Sequence, residues 1–526
     1  MTTPAPPLSL SGAPLVAAAL RQVLSGPVTP GLDAAALARV AAGRGVLEAA
    51  IAAGERVYGT TTGVGAMKGT EHRDAPAIAR FNAGLALAHQ FAVGEEIAPG
   101  IVRLMLVLRL NTIATGRVGV TPAFAGMLAR MLGHDLLPVV NARGSVGCGD
   151  LGQMGQLAAV MTRHGMARLA GVLMPAPMAL AQAGMSPHVM EPRESLAAVG
   201  TNAFGLARSA SAVLRARGAV RQAMGQAAVG AIAWGLDRAV WHAARESLVP
   251  GEAGMALWLL HALDDQTDWP TRETVHDALS GRFLVQILAA CLGAAEAAMR
   301  SVELHSGQVD DNPVILDGRV VTSGASLLAD LSARLAALQL AMAQLGRNVF
   351  NRCLMLTNGA LPGLTVNLVP PGMIGTGYGP LMKLAQEQAA RIAAGAAPVS
   401  LMGLTLAAGL EDESLLIPLA AERLEEQTDA LEWLLTVEAL LTGQALSLRG
   451  LGLGRLASAQ MACLHPHVAP FAGDLPLSAP LAELRATLTS PGARGATQAL
   501  APVLTFDHGM TVPEILVSTP RPAFVE

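Results

Sequence analysis

Two residue types able to carry or exchange protons have almost vanished from this chain, and their surviving positions draw attention first. Tyrosine occurs only as Tyr58 and Tyr378 and lysine only as Lys68 and Lys383, against 34 arginines. Lysine loses its proton when burial lowers its pKa, whereas arginine stays charged. A lysine kept in so arginine-rich a chain is therefore a candidate for proton transfer or point-charge work, with two leftover surface lysines as the plainer alternative. Tyr58 lies in "VYGTTTGVGAMKGT", where Gly59, Gly63 and Gly65 predict a tightly turned loop that brings backbone close to a ligand. A purely structural tyrosine is the alternative there. A second glycine-rich turn, "NARGSVGCGDLGQMG" from Asn141 to Gly155, presents Cys148 and Asp150.

The elements that must position these residues are helices. The chain is 52% hydrophobic, 14% charged and only 3% aromatic, so its buried volume has to be aliphatic side chains on helices. Apolar residues recur at three-and-four spacing over 34–53, 102–116, 283–304, 326–350 and 420–446. Several of these stretches are apolar on most faces, which predicts surrounding helices, including those of other subunits. Between them, Gly, Pro and Thr-rich turns at 58–70, 141–155, 357–380 and 395–410 are where a rigid scaffold would display reactive groups. Ile392–Leu410 is uncharged for nearly a membrane-spanning length, but Pro398 and its small residues predict a buried turn and helix.

Composition also excludes function classes. The net charge is -4 and the arginines are scattered among carboxylates, which leaves no footprint for nucleic acid and favours a small-molecule substrate. Cys148, Cys291, Cys353 and Cys463 are too few and too dispersed for a disulfide framework or a paired-cysteine zinc site, which fits a reducing cytoplasm. His465 and His467 lack partners for a metal centre. "MTTPAPPLSLSG" has no signal-peptide character and reads as a loose tail, so a cytoplasmic protein with no membrane contact is expected.

Taken together, the segments resemble the aromatic amino acid lyase family, which includes histidine and phenylalanine ammonia-lyases. "YGTTTG" (58–63) is similar to the family's tyrosine loop, and His89 in "LALAHQFAVG" to its following histidine. "RLNTIATGRVGV" (109–120), "LPVVNARGSVGCGDLGQMGQLA", "HDALSGRFLVQ" (276–286), "VELHSGQVDDNPVIL" and "GLEDESLLIPLAAERL" (409–424) occur in the family's order, the last resembling a helix with an acidic residue. The resemblance implies a mainly α, long-helix bundle of the histidine ammonia-lyase type with a loop-rich N-terminal part. It also implies a homotetramer whose active sites draw loops from several subunits. We expect an N-terminal domain at 1–205 holding the tyrosine and cofactor loops, and a central bundle with a C-terminal helical region at 206–526.

The family's Ala-Ser-Gly triad, within "GSVGASGDL", cyclises into an electrophilic methylidene-imidazolone that captures the substrate amine. Here the stretch is "GSVGCGDL": aligned from the left the triad has lost a residue, aligned from the right Gly147, Cys148 and Gly149 occupy its three places, and neither alignment supplies the triad's serine. Leu279 replaces the usual tyrosine of the carboxylate segment, Arg282 persists, Asn202 is displaced to come after Gly-Thr, and "SGASLLAD" replaces a Gly-Asn-Phe-His stretch. The positions around the cofactor have changed while the tyrosine loop and carboxylate anchor remain.

Chemistry links these departures. Ammonia leaves poorly and a primary amine has a lone pair with which to attack an electrophile; a trimethylammonium group has no lone pair and departs directly as neutral trimethylamine. A lyase for a betaine therefore needs a base at the β-carbon, a carboxylate anchor and a hold on the ring, and no cofactor. This matches the family branch of ergothionases, which convert ergothioneine to thiolurocanate without the prosthetic group. By the resemblance Tyr58, as phenolate, takes the β-proton. An unperturbed tyrosine is about three units too basic for that at neutral pH, which requires a nearby cation, and Lys383 is the candidate. Lys383 is alternatively a donor to the thioimidazole ring. Arg282 grips the carboxylate, Glu411 accepts from a ring nitrogen, and His89, Asn202 and Lys68 are further substrate contacts. Trp234, Trp241 or Trp258 would offer one face to the quaternary ammonium. Two rivals stay open: Gly147-Cys148-Gly149 cyclises with loss of hydrogen sulfide to serve an ammonia-lyase or aminomutase, or the chain is a silent ligand-binding homologue.

Overall fold

Helices form where the apolar spacing places them. The computed structural model describes residues 6–271, 275–490 and 492. It holds helices at Ala34–Ala52, Pro99–Ile113, Leu284–His305, Ala329–Thr357 and Ile417–Arg449, close to the predicted spans except that the fourth runs on beyond residue 350 to Thr357. The chain is mainly α, and strands occur only as short pairs and one three-stranded sheet, Leu136–Pro138, Met166–Leu169 and Val172–Pro175. It divides into two units, one of residues 1–214, 298–336 and 398–423, the other of 215–297, 337–397 and 424–526. Helices Ala203–Trp234, Leu284–His305, Ala329–Thr357 and Ile417–Arg449 contribute residues to both.

In the first unit, helix Pro99–Ile113 is buried on every side from Ile101 onward. Its polar residues survive there because each is partnered: Arg103 with Asp135, Arg109 with Asp311, Thr112 with the Leu108 carbonyl. Asn111 accepts from the Gly12 amide and donates to the Ala13 and Ser306 carbonyls. That anchor corrects the reading of the N-terminus as a loose tail. Pro7–Leu10 is a strand paired in parallel with Thr29–Leu32, and Leu8 and Leu10 are buried; residues 1–5 lie outside the described chain. Helix Ala34–Ala52 starts at Asp33, whose carboxylate accepts the Ala36 amide at 2.6 Å.

The second unit is knit by polar contacts between long helices. Arg215 and Arg485 share Glu432 and Asp429, and Arg217 and Arg221 share Glu296. Gln427 donates to the carbonyls of Gln339 and Ile392 at 3.1 and 2.7 Å. Trp234, Trp241 and Trp258 are core side chains here, and Trp234 also lines a pocket with His276, Ala278 and Arg449. Leu284–His305 is long and apolar enough to span a membrane by length and composition, and over half of its most apolar stretch is buried inside the protein.

The expectation for 392–410 needs correction as well. Helix Leu381–Ala394 ends there, and the chain continues through two 3₁₀ turns, Val399–Met402 and Ala407–Gly409, with Leu401 and Leu404 exposed rather than buried. Ala407 and Ala408 both take positive φ, which no continuing helix permits.

One glycine fixes how closely the first unit packs. A Cβ on Gly43 would stand 1.8 Å from the Gly116 carbonyl oxygen, whereas one on Gly45, two residues along the same helix, would meet nothing within 4 Å. Gly43→Ala is expected to destabilise the protein by about 2 kcal/mol through overpacking, and Gly45→Ala to stabilise it by up to about 1 kcal/mol through helix propensity. Urea or thermal unfolding of the two variants checks the opposite signs.

Candidate active site

The tyrosine loop folds on one carbonyl. The amides of Thr60, Thr61 and Thr62 all point to the Val57 oxygen at 3.0–3.2 Å, and Thr61 Oγ1 takes the Val57 amide at 2.8 Å. This knot presents Tyr58 half-buried, and its phenolic oxygen accepts the Gly65 amide at 2.9 Å. Gly65 has φ +54, a conformation that glycine adopts freely, and this is what aims its N–H back at Tyr58. On the other side Gly59 sits so close to Leu196 that a Cβ would stand 2.1 Å from Leu196 Cδ2. Lys68 ends the 3₁₀ turn Gly65–Met67 and is exposed.

Glu411 belongs to the same unit and is half-buried. It was expected on a helix; instead the helix begins at Ile417, and Glu411 lies in a turn closed by backbone bonds with Leu406 in both directions. That turn rests beside the tyrosine loop, where Gly65 approaches Ala407. His89 caps the end of helix Ala75–Ala88, half-buried, with Nδ1 2.8 Å from the Leu85 carbonyl.

The loop that resembles the cofactor segment is held from every direction. Ser145 donates to Asp150 Oδ1 at 2.6 Å and accepts the Gly147 amide at 3.0 Å. The Gly205 amide donates to Asp150 Oδ2 at 2.7 Å, and the Asp150 amide to the Thr201 carbonyl. Asn202 is buried with both ends of its amide engaged: Oδ1 accepts the Gly149 N–H at 2.8 Å and Nδ2 donates to the Ser326 carbonyl at 2.6 Å. It holds the loop, and one amide proton of Nδ2 and one acceptor position of Oδ1 are left over. Cys148 is half-buried, 4.0 Å from Ser326 Oγ; burial pushes its thiol up, the Ser326 contact pulls it down, and the charges of Glu411 and Asp150 push it up again.

These residues do not fit a methylidene-imidazolone. The three places hold no serine, and Gly147, at φ +78, faces the 416–417 backbone so closely that a Cβ would stand 2.7 Å from the Ile417 nitrogen. An alanine side chain has no room there, and the Gly149 nitrogen, which would have to attack in ring closure, is tied to Asn202.

Beneath the loop lies a charge cluster that spacing alone did not single out. Asp311 is fully buried and takes both Arg109 nitrogens, at 2.8 and 2.9 Å, and Arg193 Nη2 at 3.0 Å. Arg193 stands at φ +83, and burial pushes its guanidinium down to about 10, against the upward pull of Asp311 and of the Tyr58 phenol. Asp310 receives the Thr201 hydroxyl and the Asn202 amide. The signal available in the sequence was "VDDNP", two adjacent carboxylates in an apolar setting.

The second unit carries Arg282 and Lys383. Arg282 ends the short helix Leu279–Arg282, is half-buried, lies 6.0 Å from the Phe283 ring centroid and has no acidic partner among the described residues. Leu279 is exposed. Lys383 is exposed on the first turn of helix Leu381–Ala394, again with no ion-pair partner among the described residues. Tyr378 is core, edge-on to Phe471 at 5.5 Å. Among the described residues no cluster of His, Cys, Asp and Glu is suited to a metal.

The loop's acid gives a pH test. Burial raises Asp150 from 3.8 to about 7, against its hydrogen bonds from Gly205 and Ser145, and burial with the Asp311 charge raises Asp310 to about 6. Between 3.8 and those values the folded chain binds more protons than the unfolded chain, so stability falls as pH rises through this window. Asp150→Asn keeps the shape without the titration. It is expected to change Tm more favourably at pH 8 than at pH 5; an equal change at both pH values by calorimetry contradicts the assignment.

Comparison with known proteins agrees with this architecture. A histidine ammonia-lyase from Gloeobacter violaceus is 32% identical over 459 residues, covering 84% of this chain and 88% of that protein. Among solved structures, ergothionase from Treponema denticola superposes with a TM-score of 0.87 at 22% identity, covering 93% of this chain and 99% of that one. Histidine ammonia-lyase from Trypanosoma cruzi superposes with a TM-score of 0.85 at 21% identity over 99% of both chains. At these identities the superpositions establish the fold. The profile of the aromatic amino acid lyases matches residues 15–465, and the chain belongs to that family.

Proposed function

We propose that this chain is a carbon–nitrogen lyase that eliminates trimethylamine from the betaine of an aromatic amino acid, ergothioneine giving thiolurocanate, without a methylidene-imidazolone. The observation that carries this reading is the 147–149 stretch, Gly-Cys-Gly, which has no serine and no space for an alanine side chain at Gly147. A family member without the electrophile retains the part of the chemistry that a quaternary ammonium requires. The ergothionase that shares this fold is named as degrading ergothioneine, and the reading takes its substrate from there.

In this mechanism Tyr58 removes the β-proton, the C–H electron pair becomes the Cα=Cβ bond, and the C–N pair leaves with neutral trimethylamine. The Gly65 N–H donates to the Tyr58 oxygen and stabilises it most when it is charged. Arg282, free of acidic partners among the described residues, binds the carboxylate with two parallel hydrogen bonds. Glu411 accepts from a ring nitrogen, Lys383 supplies positive charge, and His89 and Lys68 are further contacts. The homotetramer belongs to the same proposal, supported by Leu401 and Leu404, 84% and 79% exposed; light scattering at tetramer mass checks it.

Purified protein mixed with ergothioneine should release trimethylamine together with a conjugated product. Tyr58→Phe should lower kcat by at least about 100-fold, the scale of a lost general base, and Lys383→Met should also slow turnover. Inertness towards ergothioneine and histidine betaine sinks the proposal. Intact mass should equal that of the unmodified chain; a deficit of one water plus one hydrogen sulfide would instead mark a cofactor made from Gly147, Cys148 and Gly149.

A further inference from the structure

Arg282 depends on a single helical turn that is interrupted at Phe283. The helix Leu279–Arg282 breaks at Phe283 before Leu284–His305 begins, which leaves carbonyls at the break without the bonds a continuous helix would give them. Leu279 O receives the Phe283 amide at 2.9 Å. Ser280 O receives a side chain from elsewhere in the same unit, Asn348 Nδ2 at 2.9 Å.

Asn348 is itself locked. It is 6% exposed, and its Oδ1 accepts Arg352 Nη1 in a short hydrogen bond. That contact decides which end of the amide faces which neighbour: oxygen to the guanidinium, nitrogen to the Ser280 carbonyl. Arg352 is fixed in turn by two bonds to Glu438, Nε to Oε1 at 2.5 Å and Nη2 to Oε2 at 2.9 Å, with both side chains buried. Such a pair is strong because both N–H bonds are charge-assisted and parallel. On its other flank the turn is pressed at Gly281, where a Cβ would stand 2.5 Å from Leu236 Cδ2.

We propose that Asn348 is a positioning residue for Arg282: the relay Glu438, Arg352, Asn348, Ser280 carbonyl holds the turn so that the guanidinium meets the substrate carboxylate in one orientation. This rests on the reading of Arg282 as the carboxylate anchor. A buried relay suits the task better than a surface contact, since low dielectric strengthens each bond and an unpaired member is costly.

Asn348→Asp isolates the last link. It preserves volume and the acceptor for Arg352, but it has no N–H for Ser280. Hydrogen exchange in the 276–286 segment reads the turn without any substrate, and should quicken by about ten-fold, the equivalent of one lost hydrogen bond; unchanged exchange overturns the relay. With ergothioneine, Asn348→Asp should raise KM about ten-fold and change kcat less than two-fold, the pattern of lost uniform binding. In an Arg282→Met background the same substitution should have no further effect on KM, whereas a general loss of packing would lower activity again. Quickened exchange with unchanged KM, while Arg282→Met alone raises KM, overturns the positioning role. If Arg282→Met leaves KM unchanged, the carboxylate assignment of Arg282 falls, and with it the functional role of the relay, whatever the exchange rates show.

Discussion

Two consecutive carboxylates, Asp310 and Asp311, organise the first unit. Asp311 is shared by Arg109 on one helix and Arg193 at the start of another, all three out of contact with water. Removing one partner from such a cluster leaves an uncompensated buried charge, which costs about 3–5 kcal/mol. Asp310 turns the other way and takes the Thr201 hydroxyl and Asn202 amide, and Asn202 in turn fixes the loop at Gly149. The loop conformation, the seat of the Tyr58 loop against Leu196 and the strained backbone at Arg193 all depend on where these two carboxylates are held.

The loop at 145–150 is a complete structure, not the residue of a lost one. Every amide from Gly147 to Asp150 except that of Cys148 has a defined acceptor, and Asp150 has donors on both oxygens. Each of these matched groups would cost stability if it were buried without a partner.

Much of this was legible in the residues themselves. Helix positions come from apolar spacing, and the tyrosine loop from three glycines around a rare residue. The missing serine needed only the stretch "GSVGCGDL". The misplacements share a cause: periodicity identifies a helical face without saying where the helix starts. Glu411 was read into a helix that begins six residues later at Ile417, although Pro418, a residue favoured in a first helical turn, marked the boundary. The strand at Pro7–Leu10 was missed because its pairing partner, Thr29–Leu32, carries no strand propensity of its own. The role of Asn202 depends on contacts with residues 53 and 124 positions away, which no local pattern reports.

Gly147 also sets how reversible this history is. Its missing side chain is not a vacancy waiting for a methyl group, since the 416–417 backbone already fills the space. Point substitutions at 147–149 can write Ala-Ser-Gly into the gene, but the resulting loop would collide with a segment of chain some 270 positions later. Gly147 is thus held as glycine by the chain at Leu416 and Ile417, a constraint between two loops far apart in sequence.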